Sequence, residues 1–140
     1  MSAHLEQRSD AHLLALDDHR VTQLLVELGS VRLQTWTLHD AVELRIGVAF
    51  VLRQADGVER HTDPAEPEQL APLLTLVGRR LEVLRVGRDA SLVAGFSDGT
   101  VLEVRPNARR EAWQLQGAGG LEGLVYLARA GGGQPWEEPA

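Results

Sequence analysis

Hydrophobic and polar residues alternate with a period of two through most of the chain, the pattern of strands with one face buried. Leu24, Val26 and Leu28 share one face, with Gln23 and Glu27 on the other. After Gly29-Ser30, Val31 and Leu33 alternate with Arg32 and Gln34. After His39-Asp40, Val42, Leu44 and Ile46 alternate with Glu43 and Arg45, and Gly47 interrupts before Val48, Phe50 and Leu52. Asp56-Gly57 is a tight-hairpin dipeptide, because both residues tolerate positive φ. The second half follows the same scheme. A strand over 80–86 meets a turn at Asp89-Ala90, and a strand over 92–96 meets a second tight hairpin at Asp98-Gly99. A strand over 100–104 follows, and another begins at Trp113.

Laying Asp40 on Asp98 matches Leu38 with Phe96, Leu44 with Leu102 and Ile46 with Val104. Two one-residue gaps add Leu33 on Leu92 and Val26 on Val86. The match reads as an internal duplication with a period near 60 residues, or as two ordinary meanders that share apolar alternation. Between the halves, Leu70, Leu73, Leu74 and Val77 form one helical stripe. Pro67 suits the helix start and Gly78 the residue past its end. Pro72 cannot sit inside a regular helix, so a loose or 3₁₀ turn over 67–70 is expected before a short helix from Ala71. Residues 1–19 read as an N-terminal extension with a weak helical turn around Leu13, Leu14 and Leu16. Residues 20–129 read as one β-rich domain, and 130–140, with three glycines and two prolines, as a flexible tail. The expected fold is mostly β (β-rich α+β). Its antiparallel meanders, seven to nine strands in all, form a sandwich or a partly open barrel with one short helix.

The run Glu43-Leu44-Arg45-Ile46 with Phe50, then Asp63-Pro64, then Leu70-Ala71-Pro72-Leu73-Leu74 and Gly78, resembles a bacterial family of small domains of unknown function. The likeness continues through Phe96-Ser97-Asp98-Gly99, Pro106, Glu111-Ala112-Trp113 with Leu115, and Leu124-Val125, spanning about residues 20–127. Where the family pattern has an aspartate–proline pair and a tyrosine before the glutamate, this chain has Asn107-Ala108 and Arg110. The resemblance strengthens the fold reading and implies no activity, cofactor or catalytic residue.

Composition narrows the chemistry. The 140 residues contain no cysteine, which removes disulfides, thiol nucleophiles and cysteine-ligated metal. All 14 basic residues are arginine, so Schiff-base and lysine general-base chemistry are also excluded. A net charge of −6 argues against general affinity for nucleic acid or anionic membrane. The first residues show no basic start and apolar run, and no apolar stretch approaches the roughly 20 residues a spanning helix needs. Cytoplasmic residence is expected.

No coherent catalytic set or metal-ligand spacing emerges, and no cofactor is implied. Ser97 and the aspartates Asp40, Asp56, Asp89 and Asp98 sit at predicted turns, where side-chain-to-backbone hydrogen bonds explain them. The glycine-rich run 117–123 lacks the third glycine of a dinucleotide loop and reads as a hairpin connection. His61 and Asp63, one residue apart at a strand end, form the one polar pair that could act as an acid/base couple in a cavity. Arg79, Arg80, Arg85, Arg88, Arg105, Arg109 and Arg110 oppose only four acids in their window, so a local basic face could bind a carboxylate, a phosphate or an acidic protein. Trp113 fits the core, and Trp136 lies in the tail. Trp36 shares a predicted face with Arg32 and Gln34 and suits a partner anchor. The leading expectation is a non-catalytic interaction module that binds a protein partner or a second copy of itself, an immunity-type protein being one version. The alternatives are a ligand-binding or enzymatic barrel using His61, Asp63 and nearby arginines, and nucleic-acid binding through the arginine window.

Overall fold

The alternating segments fold into two antiparallel sheets packed face to face, in a computed structural model that describes residues 3–137. The first sheet has the order β1 (Ala3–Gln7), β2 (Ala11–Leu16), β8 (Leu81–Gly87), β9 (Leu92–Phe96), β10 (Val101–Val104), β6 (Phe50–Arg53) and β7 (Glu59–Thr62). The second has the order β12 (Val125–Leu127), β11 (Trp113–Gly119), β5 (Asp40–Ile46), β4 (Ser30–Trp36) and β3 (Arg20–Glu27). The strands divide between two separate sheets and neither closes on itself, so of the two expected forms the fold is the sandwich-like one. Leu44, Ile46, Val31 and Leu115 from one sheet meet Leu84, Leu92, Leu102 and Leu52 from the other, each 2% exposed or less. Burying each such side chain is worth about 1.5–3 kcal/mol, and this term holds the layers together. Trp113, 2% exposed, adds a directed contact: its Nε1 donates to the Ala90 carbonyl at 2.9 Å.

The halves share one pairing scheme, crossed between the sheets. Strands β3, β4 and β5 form a meander in the second sheet, and the chain then crosses to place β6 and β7 in the first. Strands β8, β9 and β10 form a meander in the first sheet, and the chain crosses back to place β11 and β12 in the second. One cross-strand row reads Leu24, Leu33, Leu44, Leu115, and its counterpart reads Leu84, Ala94, Leu102, Leu52. The register confirms Val26 on Val86 but puts Val31, not Leu33, opposite the role of Leu92. Val31 faces Val26 and Ile46, as Leu92 faces Val86 and Val104. The β4–β5 arms are longer than those of β9–β10, so the sequence alignment slips by two residues there.

Both aspartate–glycine hairpins form, with only the glycine in the left-handed region: Gly57 and Gly99 each have φ 87. The aspartate instead accepts the amide two residues on, Asp56 from Val58 and Asp98 from Thr100, both at 3.0 Å. The β8–β9 turn repeats this geometry with Ala90 (φ 71) where the others have glycine. There, the Ser91 hydroxyl and amide hold the Asp89 carboxyl below its ordinary range.

Four expectations are corrected. The helix is 3₁₀ throughout Pro67–Leu76, and it buries Leu70, Leu73 and Leu76, spaced by three. Leu74 and Val77, placed on the buried stripe by a 3.6-residue period, are instead 62% and 45% exposed. The supposed N-terminal extension is the β1–β2 hairpin, fastened to the first sheet by β2–β8 pairing. The tail is docked as far as it is described: the Gly131 amide reaches the Asn107 carbonyl, and Trp136 stacks on His12. Residues 138–140 of that tail lie outside the described residues. Finally, Leu24 and Val26 lie on an edge strand and Leu28 in the turn that follows it, and Val26 and Leu28 are exposed.

Candidate interaction surface

Trp36 ends β4 on the outer face of the second sheet, beside Arg20 of β3 and Ala41 of β5. It is 55% exposed, and Leu38, two residues on in the β4–β5 loop, is 97% exposed. Together with Asp17, Asp18, Arg20, Thr22, Thr37 and His39 they line an open cleft of about 600 Å³. On its other side Trp36 walls a second concavity of about 250 Å³, floored by the small residues Ala41, Gly117 and Ala118.

Beneath this loop lies a buried polar network. His19 is fully buried, with Nδ1 2.9 Å from Thr35 Oγ1 and Nε2 2.9 Å from Asp40 Oδ1. A proton on Nε2 faces the carboxylate and leaves Nδ1 to accept from the Thr35 hydroxyl. The Thr37 hydroxyl donates to Asp40 Oδ1 at 2.7 Å and accepts the amides of His39 and Asp40. The Thr37 amide in turn reaches the Asp40 carbonyl. Burial pushes the His19 imidazolium down from its ordinary value, against the pull of Asp40, so the ring is neutral near pH 7. Asp40 is therefore a buried network residue rather than a plain turn aspartate. The order Thr35, His19, Asp40 resembles a nucleophile triad, but Thr35 is 1% exposed and His19 0%, which leaves a substrate no approach. What the network does is fix the loop that carries Trp36 and Leu38.

The arginines of the 79–110 window do not form one face. Arg79 and Arg80 precede β8, whereas Arg88 follows it, roughly 25 Å away along the strand. Arg105 follows Val104, which pairs with Leu92, and so shares the Arg88 end. Arg109 and Arg110 lie in the β10–β11 connection, where Asn107 Oδ1 accepts both amides. Arg110 lines a cleft with Leu28 and Gly29 of the other sheet. Arg85 is mid-strand and paired with Asp10, and Arg105 is paired with Glu103. His61 and Asp63 are likewise not brought together. His61 is exposed on edge strand β7, while Asp63 spends Oδ1 on the Ala65 amide in the following turn. The cleft beside His61 pairs its own charges, Arg53 with Glu59 and Arg105 with Glu103.

Sequence reasoning missed both buried histidines. His12 contacts the Tyr126 hydroxyl at 2.9 Å and stacks on Trp136 with ring centroids 3.7 Å apart, and burial raises the Tyr126 pKa. These rings line a cleft of about 630 Å³ with Gln7, Arg129 and Glu137. No local spacing signals either cluster, since His19 lies 16 residues from Thr35, and His12 lies 114 residues from Tyr126 and farther still from Trp136. Among the described residues no group of three or more histidines, aspartates or glutamates is arranged to hold a metal ion, and no helix is long and apolar enough to cross a membrane.

No curated protein and no solved structure matches this chain. A family model does match, over residues 12–133, which takes in both sheets and all but the first strand and the last few residues. The sandwich with its crossed halves, its Trp36 loop and its buried histidines is thus a member of a family of unknown function, DUF6188.

Proposed function

We propose that this chain is a non-catalytic protein-interaction module that presents Trp36 and Leu38 to a partner. The observation that carries the reading is the pairing of two large exposed apolar side chains with a buried network that fixes their loop. Exposed tryptophan is costly to leave in water and is enriched among residues that dominate binding energy. A loop held rigid before binding loses less entropy on association. The rim, with Asp17 and Asp18 beside one arginine, favours a partner that offers an apolar group flanked by basic side chains. The location that goes with this reading is the cytoplasm.

A photo-crosslinking residue at position 38, compared with one at exposed Glu68, tests it. The expected result is a discrete protein adduct at 38 and none at 68 in cells of the native host. The purified partner should then bind Trp36→Ala at least about 30-fold more weakly, with an unchanged thermal melt. No adduct at 38, or equal binding by Trp36→Ala, overturns the proposal.

A further inference from the structure

The crossed pairing of the halves makes β3 the counterpart of β8, and the two differ in one respect. Strand β8 is covered along its outer side by β2, with Leu14 opposite Leu84 and His12 opposite Val86. Strand β3 is the edge of its sheet. Among the described residues only its start is covered, where the Val21 amide and carbonyl bond to Arg79 and Gly78 and Arg20 bridges Arg80. The consequence shows at equivalent positions: Val86 is 1% exposed and Val26 is 52% exposed. Val26 points to the inner face, opposite buried Val31, yet it is half exposed. We propose that a second copy of this chain supplies at β3 what β2 supplies at β8, joining two sheets through antiparallel β3–β3 pairing.

The free edge suits its own copy. Glu27 and Ser30 close a two-residue hairpin at Leu28-Gly29, so the amides and carbonyls of Glu27 and Leu25 point to β4. Those of Leu24 and Val26 point outward. An antiparallel copy with its twofold axis at Leu25 sets Leu24 against Val26 of the second copy, twice. Each pair exchanges backbone hydrogen bonds and covers apolar surface. It sets Gln23 against Glu27, so no like charges face each other. Glu27 is itself 2.6 Å from Arg32, so the edge contributes little to repulsion between two chains of net charge −6. The Gly78–Arg79 strap ends the free stretch at both ends of the paired ribbon and fixes its length. The other edges are poorer templates. Strand β12 has three residues, and β1 and β7 are short and carry charged side chains. The pairing uses a different surface from Trp36, so this inference and the proposed function stand or fall separately.

The test is the solution mass of the full chain with Leu25 variants. Leu25 is 38% exposed, and Arg32 across from it is committed to Glu27 and Glu43, so either charge at position 25 leaves the monomer folded. The wild type should sediment at twice 15.3 kDa. Leu25→Arg and Leu25→Glu should each sediment as single chains, because each puts like charges at the axis, and an equimolar mixture should recover the doubled mass. The Leu24 and Val26 amides should gain hydrogen-exchange protection as wild-type concentration rises. A wild type that stays single at millimolar concentration overturns the proposal. So do variants that keep the doubled mass, a mixture that stays single, or amides 24 and 26 that show no concentration dependence.

Discussion

The buried His19 makes stability depend on pH at and below its ordinary value. Its imidazole is neutral in the folded chain because burial disfavours the charged form more strongly than Asp40 favours it. In the unfolded chain it titrates near its ordinary value of about 6.5. The unfolded state therefore binds a proton first as pH falls. The stability this group contributes is complete above about pH 6.5 and drains away below it, down to the lowered folded value. The slope is at most about 1.4 kcal/mol per pH unit for one proton, so the loss between pH 6.5 and 5 is at most about 2 kcal/mol. With a urea m-value of roughly 2 kcal/mol/M, that moves the unfolding midpoint by up to about 1 M. His19→Gln removes the titration and retains a polar group near Thr35 and Asp40. It should lower stability at pH 7.5 by about 1–3 kcal/mol through imperfect hydrogen bonds, and it should flatten the slope over this window. Urea unfolding at half-unit pH steps reads both effects. Equal slopes in the two proteins would refute the reasoning. A wild type that gains stability on acidification would mean instead that His19 charges and pairs with Asp40.

Two further outcomes test the packing. Leu73 is 0% exposed and Leu74 is 62% exposed, so Leu73→Ala should cost about 2–5 kcal/mol in chemical denaturation and Leu74→Ala under about 0.5. Similar costs would mean that the segment keeps an α-helical stripe. Trp113→Phe removes the donor to the carbonyl of fully buried Ala90, and should cost about 1–3 kcal/mol beyond the change in ring size. A cost below about 0.5 kcal/mol would show that another group serves that carbonyl.

Elements governed by local rules were legible from the residues: the central strands by alternation, and the hairpins by aspartate and glycine. The failures have identifiable physical causes. Leu13, Leu14 and Leu16 fit no single period because β2 also buries His12, which makes its ring contacts with a tyrosine and a tryptophan far along the chain. Leu74 was misplaced because Pro72 imposes a three-residue turn, and the buried stripe follows that turn rather than the 3.6-residue one. Alternation marks which face of β3 is apolar, but says nothing of whether a neighbouring strand covers it. Of the site, Trp36 stood out because it sat among polar neighbours. The arginine window dispersed because sequence proximity along β8 becomes distance along a strand.

How the outer surface is built shows what kind of recognition it favours. Sheet alternation sends long charged side chains outward, where neighbours of opposite sign engage several of them: Arg53 with Glu59, Arg32 with Glu27 and Glu43, Arg85 with Asp10, Arg105 with Glu103. Exposed pairs of this kind are worth about 0–1 kcal/mol each and mainly cancel local fields. The buried polar groups His19, Thr35 and Asp40 are turned toward one another and away from solvent. Beside its charges the surface also leaves apolar and backbone groups exposed: the Trp36 ring, Leu38, and the open side of β3 with Val26. Recognition through such groups depends on shape and strand register rather than on net charge. On that ground the net charge of −6 does not by itself oppose the proposed pairing with a second copy.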